Sequence, residues 1–343
     1  MALIRKIGID LGTANSVVFA ENKGIVLQEP TVVAVTVEDN KVVAVGNEAK
    51  EMLGRTPDSI TASRPMRDGV IADYVVTEAM LRYFMQKVCG KNWFFRPEVM
   101  ICVPAGCTQV ERRAVEEATE AAGAKEVYII QEPFAAALGA GVVVGEASGN
   151  MIVDMGGGSA EAAVISLGGI VVSKSIRISG NALDDAIAVY LRKKFSLIVG
   201  EQTVEEIKIT IGQAMGDPSS SEAEARQGKP MPVKGRDSIQ GLPKTVEVSA
   251  EEIEEAMRPK LMQIVSMVKS VLEEIPPELA SDIIDKGVVM SGGTALLKNF
   301  DKLLTKETGV PCHVAEEPLL CVAKGMGIAL DNLDLYKRAI SKR

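Results

Sequence analysis

The stretch MIVDMGGGSAEAAVISLGGIV, residues 151–171, decides the fold. An apolar run ends at Asp154, turns through Gly156, Gly157, Gly158 and Ser159, and is followed by a second apolar run. A strand–turn–strand unit of this kind presents bare backbone N–H groups at its turn, and such a nest suits phosphate. Asp154 cannot itself bind an anion, so a hydrated Mg²⁺ between carboxylate and phosphates has to supply the counter-charge. Taken alone, the segment reads equally as a glycine-rich hairpin that merely turns.

An earlier stretch changes that balance. IGIDLGTANSVVFAENKGIV, residues 7–26, again has apolar residues ending in an Asp (Asp10), a small turn with a hydroxyl (Leu11, Gly12, Thr13) and a second apolar run. Gly24-Ile25-Val26 then matches Gly169-Ile170-Val171. Fourteen positions separate Asp10 from Gly24 and fifteen separate Asp154 from Gly169, which places one extra glycine in the later copy's phosphate turn. A long-period duplication predicts two similar lobes with facing phosphate hairpins and a cleft between them, not a solenoid.

Composition fits two lobes. The chain has 343 residues, enough for two domains of ordinary size. Its 47% hydrophobic residues are spread in short runs, none reaching the roughly 18 residues of a membrane span. The segment before the Ile7 strand is too short for a signal peptide. Five cysteines without metal spacing read as reduced cytosolic thiols. A net charge of −8 argues against bulk nucleic-acid binding. His313, the single histidine, leaves no room for a His-based triad or a His-rich metal site.

Along the chain, Thr31 to Ala44 alternates as a β ribbon and Gly46 to Arg55 reads as a short helix; with Thr56 to Pro65 they form a small insertion. An amphipathic helix is expected over Thr77 to Val88 and a buried strand over Val99 to Val103. Thr108 and Glu111 spell a capping box for a helix that stops at Gly123. After a strand at Val127 to Ile130, Gln131-Glu132-Pro133 passes directly from strand to helix. Glu132 there is a seat for a water-orienting base, or alternatively a helix-dipole partner only. Gly139 to Gly145 follows a helix instead of a strand, which excludes a dinucleotide fingerprint.

The second lobe repeats the plan. Helices are expected over Leu183 to Phe195 and Thr203 to Met215, and loops with short strands over Gly216 to Pro243. Ser249 and Glu252 open a long helix that should bend near Pro259. A strand from Gly287 to Met290 runs into Ser291-Gly292-Gly293-Thr294, and a helix is expected from Ala295 to Leu304. That third glycine turn either lets a flat ring lie against backbone or is simply a tight turn.

These pieces, IGIDLGTANS, Glu132-Pro133, VDMGGGSAE and SGGTALL, resemble the motifs of the actin-like ATPase superfamily. From Ile7 to about Leu330 the chain is similar to the MreB family in particular, through RPMRDGVIADYVVTEAML, ERRAVEEA, GEQTVEEIKITIG and VKGRDSIQGLP. The resemblance implies an α/β, duplicated two-lobe actin-like ATPase fold, each lobe a mixed sheet flanked by helices with a small inserted subdomain. Its limits would be 1–32 with 66–144 and 317–343, 33–65, 145–180 with 246–316, and 181–245. It also implies ATP and Mg²⁺ as ligands. Asp10 and Asp154 would stand on the metal side, holding Mg²⁺ through water, and Glu132 would hold the attacking water. Gly12, Thr13, Ala14 and Asn15, with Gly156 to Ser159, would be the phosphate loops. Glu205 and Lys208, three apart on one helix face, would take the ribose and flank the base. Gly292, Gly293 and Thr294 would line the adenine. Three residues depart from the family pattern: Gln131 for a usual Glu, Ser159 for a Thr and Thr294 for a Gly.

The function so implied is a cytoplasmic, ATP-hydrolysing protein that polymerises with itself on the inner membrane face and directs cell-wall synthesis with membrane partners. A small-molecule kinase and an ATP-gated module that never polymerises are the alternatives; a chaperone of the DnaK type lacks its peptide-binding domain here. For the membrane, Asn92-Trp93-Phe94-Phe95-Arg96 concentrates aromatics beside Lys87, Lys91 and Arg96, which suits a bilayer interface with anionic lipid. Trp93 and Phe94 are the expected outward pair; the competing reading has the rings begin the next strand.

Overall fold

The structure, a computed structural model, describes residues 6–39, 41–90, 96–216 and 230–342. The membrane assignment of Trp93 and Phe94 lies outside the described residues. Short runs of Ile, Val and Met dictate strands covered on both faces, because a strand with no wet side carries no polar alternation. Such runs give β1 (Lys6–Leu11), β2 (Asn15–Ala20), β3 (Gly24–Pro30), β4 (Glu98–Val103) and β5 (Glu126–Gln131) in one sheet. A second sheet holds β6 (Asn150–Met155), β7 (Ala160–Ser166), β8 (Gly169–Ile176), β9 (Val288–Ser291) and β10 (Cys312–Val314). The last strand, β11 (Ile340–Lys342), pairs antiparallel with β5.

The two sheets share one plan. The first runs β5-β4-β1-β2-β3 and the second β10-β9-β6-β7-β8. In each, the Asp-bearing strand lies parallel to one neighbour, β4 or β9, and antiparallel to the hairpin partner, β2 or β7. Each lobe carries a small three-stranded sheet as well. One comprises Val33–Thr36, Val42–Val45 and Ile60–Ser63; the other comprises Leu197–Ile198, Met231–Asp237 and Pro243–Val248.

Between the sheets lie the Glu132–Gly139 and Cys321–Asp331 helices, in an apolar layer with Met100, Ile130, Ile152 and Ala163. They cross closely because the crossing point is glycine on both sides. A Cβ on Gly139 would fall on the Cys321 carbonyl, and one on Gly325 on the Ala135 carbonyl. The outer face of the first sheet is covered by Tyr74–Cys89 and Gln109–Ala122, and that of the second by Gly180–Phe195 and Ala250–Leu272.

Both expected capping boxes form, at Thr108 with Glu111 and at Ser249 with Glu252. The Ala250–Leu272 helix continues through Pro259 without interruption. Three expectations need correction. First, the phosphate turns are equal in length: Leu11 pairs with Ser16 and Met155 with Ala160, so each closes on four residues. The extra position lies at the far end, where β7 and β8 pair as far as Ser166 with Gly169, while β2 and β3 stop at Ala20 with Gly24. Second, the helix expected to reach Met215 is Glu201–Ile211, ending at Gly212, where a Cβ would strike the Lys208 carbonyl. Third, no helix begins at Ala295. Gly293–Leu296 is a 3-10 turn and the helix is Phe300–Thr308. Lys298 is held extended in a bridge to Gln213, and its carbonyl accepts from Ala214 N at 2.8 Å, which takes that backbone out of helical geometry.

Candidate functional site

A cleft of about 460 Å³ opens between the lobes. Every residue singled out for nucleotide or metal lines it: Asp10, Gly12 to Asn15, Glu132, Asp154, Gly156 to Ser159, Glu205, Lys208 and Gly292 to Thr294. Gln131, the neighbour of Glu132 in the chain, does not line it. The parallel pairing of β4 with β5 ends at Val103 and Gln131, so the next residue, Glu132, leaves the sheet edge at the helix start and faces the cleft.

The floor is acidic. Asp10 near the end of β1 receives the Cys102 thiol at 3.4 Å, and Asp154 near the end of β6 receives the Ser291 hydroxyl at 2.6 Å. Burial, reinforced by the charge of Asp154, lifts the Asp10 carboxyl to about 7. Burial lifts Asp154 to about 6, despite the Ser291 hydrogen bond. Glu132 is pushed well above the usual carboxylate range by burial and then by Glu161, Asp10 and Asp154. Among the described residues, neither Asp10 nor Asp154 makes a salt bridge, and no group of three or more His, Cys, Asp or Glu side chains converges to hold a metal unaided. Carboxylates crowded in this way lack only a positive charge.

The turns above the floor nest into each other. A Cβ on Gly157 would come within 2.6 Å of Ala14 Cβ, and one on Gly158 would collide with the Thr13 hydroxyl oxygen. The triple glycine is therefore a socket for the side chains of the first turn. Thr13 Oγ1 accepts from Gly69 N at 2.9 Å, so the Asp68-Gly69 turn, with both φ positive, reaches the same place. The Gly156 carbonyl is fixed by the Ser179 hydroxyl at 2.7 Å and the Thr294 hydroxyl at 2.9 Å.

On the far wall, Glu205 pairs with Lys50 of the first lobe's small subdomain at 2.9 Å. Lys208 pairs with Asp184 at 2.8 Å and donates to the Gly180 carbonyl at 3.1 Å. Gly292 has φ 83°, and a Cβ there would strike the Met155 backbone, so this turn is held tight against the end of β6. Sequence reasoning missed Gly180, Asn181 and Asp184 on the wall, and Leu296 to Lys298, which the interrupted helix places there. It also missed Glu161, a fully buried acid on β7. Glu161 had a signal, a lone charge inside an otherwise apolar strand.

A sequence profile described as MreB/Mbl protein matches residues 4–338. The chain is 48% identical over 338 residues to the cell shape-determining protein Mbl of Bacillus subtilis (strain 168), covering 98% of this chain and 99% of that protein. It is 50% identical over 336 residues to the cell shape-determining protein MreB of Escherichia coli (strain K12), covering 96% and 94%. Among solved structures, MreB 5 of Spiroplasma citri bound to AMPPNP superposes with a TM-score of 0.89 at 34% identity, covering 98% of this chain and 99% of that one. A MamK double helical filament superposes with a TM-score of 0.77 at 16% identity, covering 95% and 98%, a likeness of fold alone. The duplicated hairpins, the acidic cleft between them and matches that span nearly the whole chain lead to one conclusion: this chain belongs to the MreB/Mbl family of actin-like cytoskeletal proteins that determine cell shape.

Proposed function

We propose that the chain binds Mg²⁺-ATP in this cleft, hydrolyses it slowly, and polymerises head to tail into filaments on the inner membrane face that direct wall synthesis. The observation that carries the nucleotide part is the pair of matched hairpins, whose aspartates, Asp10 half-buried and Asp154 buried, line one cleft without a salt bridge among the described residues. The AMPPNP-bound Spiroplasma citri protein supports it, since its chain is covered almost entirely by this one.

The residues present fit a hydrated divalent cation. Asp10 and Asp154 are too few to strip its waters, which suits Mg²⁺, an ion that keeps several of them and shares phosphate oxygens. When bound, Mg²⁺ neutralises charge on the phosphates and stabilises the charge that develops during transfer. The amides of the Gly12–Asn15 and Gly156–Ser159 turns hold phosphate oxygens and restrict their movement. Glu132 orients the attacking water; a nearby cation favours its carboxylate form, which accepts the water's hydrogen bond. Glu205 and Lys208 hold the ribose and flank the base, and the Gly292–Thr294 turn gives the adenine a flat wall.

Filament formation rests on family membership, and a heterologous interface that does not close extends without limit. The membrane part rests on the Asn92–Arg96 sequence alone. Sedimentation with Mg²⁺-ATP, with and without anionic vesicles, tests both. Pelleting on ATP addition is expected, and its absence would favour a binding module that never polymerises. Trp93→Ser with Phe94→Ser should abolish vesicle co-sedimentation and spare nucleotide binding. For the chemistry, Glu132→Ala should retain nucleotide and slow phosphate release by roughly 10²–10⁴-fold, leaving longer-lived filaments. Unchanged release would move the role away from Glu132.

A further inference from the structure

Glu161 is a fully buried carboxylate that the reading above does not use. It lies on β7 of the second lobe, directly across the hairpin from Asp154. Both of its oxygens accept from the backbone N–H of Ala105 in the first lobe, each at 3.0 Å. The Ser175 hydroxyl and the Gly106 N–H lie near it and favour its ionised form against the upward push of burial. The turn it grips, Pro104 to Cys107, follows β4 immediately, and Val103 is the register partner of Gln131. The gripped turn and Glu132 therefore leave the same sheet edge from adjacent strand ends.

The surrounding contact is built to be close. A Cβ on Gly106 would come within 3.0 Å of Ser175 Cβ, so glycine lets the turn lie against β8. Just beyond it, Glu111 in the first turn of the Gln109–Ala122 helix pairs with Arg177, the residue after β8, at 2.7 Å. The two lobes are thus fastened twice over a short distance, inside by Glu161 and outside by Arg177. The first hairpin has no counterpart, since the residue opposite Asp10 is Val17, buried among apolar neighbours.

We propose that Glu161 is a positioning residue for ATP hydrolysis: by clamping the Pro104–Cys107 turn of the first lobe beside Asp154 of the second, it fixes Glu132 relative to the phosphate-side carboxylate. The inference rests on the ATPase reading above. Its energetic logic is that of orientation. A water-holding group on one lobe and a phosphate-binding turn on the other keep their relative geometry only if the lobes are tied close to both, and a displacement of about 1 Å can cost roughly 10²-fold in rate.

The test uses Glu161→Val, which installs the residue of the first hairpin, and Glu161→Gln, which keeps an oxygen for Ala105. Three quantities are measured on the full chain: affinity for Mg²⁺-ATP, single-turnover hydrolysis at saturating nucleotide, and amide hydrogen exchange at Ala105 and Gly106. The Val variant should bind nucleotide within about threefold of the parent, hydrolyse it roughly 10- to 10²-fold more slowly, and exchange the Ala105 amide at least about tenfold faster. The Gln variant should recover most of the hydrolysis and the protection. Parental hydrolysis in the Val variant, affinity that falls in step with rate, or a Gln variant as slow as Val would each overturn the positioning role. Unchanged protection at Ala105 would remove the clamp itself. A parent chain that binds nucleotide without hydrolysing it sinks the ATPase reading and the positioning role together, while the exchange result still reports on the clamp.

Discussion

The two hairpins are copies in backbone and opposites in side chain. Each closes a four-residue turn after a strand that carries an aspartate, and each packs beside a parallel neighbour. Yet one turn reads Gly-Thr-Ala-Asn and the other Gly-Gly-Gly-Ser, and the residues opposite the aspartates are Val17 and Glu161. The difference shows what a duplicated site has to break. Two turns that approach across a cleft cannot both carry side chains at the contact, because they would collide. Nor can both be bare, because the gap would forfeit packing. Thr13 and Ala14 fill the space that Gly157 and Gly158 vacate. The aspartates, whose task is charge, stay equivalent.

That comparison breaks most easily at the aspartates. Asp10→Ala and Asp154→Ala should each weaken Mg²⁺-ATP binding by about 10²-fold or more, measured by calorimetry, since each removes a charge partner in the cleft. Asp154 should be the more sensitive, because its loss also strands the buried Ser291 hydroxyl. If both variants bound as tightly as the parent, the facing-hairpin reading would fail.

The next effect is on stability against pH. Both aspartates have folded-state values above the ordinary 3.8, about 7 for Asp10 and about 6 for Asp154. The folded chain holds protons that the unfolded chain has already released, so their contribution is complete below about pH 4 and is lost as pH rises to those values. The nucleotide-free chain should therefore be more stable at pH 5 than at pH 7.5, by at most about 1.4 kcal/mol per group for each unit crossed. Denaturant titration at both pH values measures it. Asp10→Asn should flatten the slope between pH 6 and 7, and Asp154→Asn should flatten it less, since there it removes only the smaller, charge-borne part of the Asp10 shift; equal flattening by both would erase the difference between the hairpins. Mg²⁺-ATP should reverse the trend by favouring the ionised forms.

A smaller effect concerns the nested turns. Gly158→Ala should lower stability by about 1–3 kcal/mol through overpacking against Thr13, whereas Ala14→Gly should cost less than about 1 kcal/mol. Equal losses in thermal unfolding would mean that the turns do not interlock. Smallest is Thr294→Gly, which removes a hydroxyl bonded to Gly156 and Ser179. About 0.5–1.5 kcal/mol of stability should be lost, with nucleotide affinity within about threefold. A tenfold change in affinity would show that the hydroxyl serves the nucleotide directly.

Much of this was determined by sequence alone. The repeat of aspartate, small turn and apolar run carries the duplication, since strand period, turn chemistry and capping boxes are local and each needs only a few neighbouring residues. That locality is why the aspartates, the glycine turns, Glu132 and the third turn at Gly292 could all be named before any fold was known. What the tertiary structure alone decided is whatever depends on residues far apart in the chain. The equal length of the two turns follows from register, which is a property of paired strands. The break after Leu296 follows from a bridge between Lys298 and Gln213, whose partner no local propensity can supply. The socket that Gly157 and Gly158 offer exists only once Thr13 and Ala14 stand opposite. The grip of Glu161 on Ala105 joins two lobes by a carboxylate that sequence presents only as a charge in an apolar strand. A hydrogen bond across a cleft leaves no periodicity to read, because its two ends are brought together by packing and not by spacing.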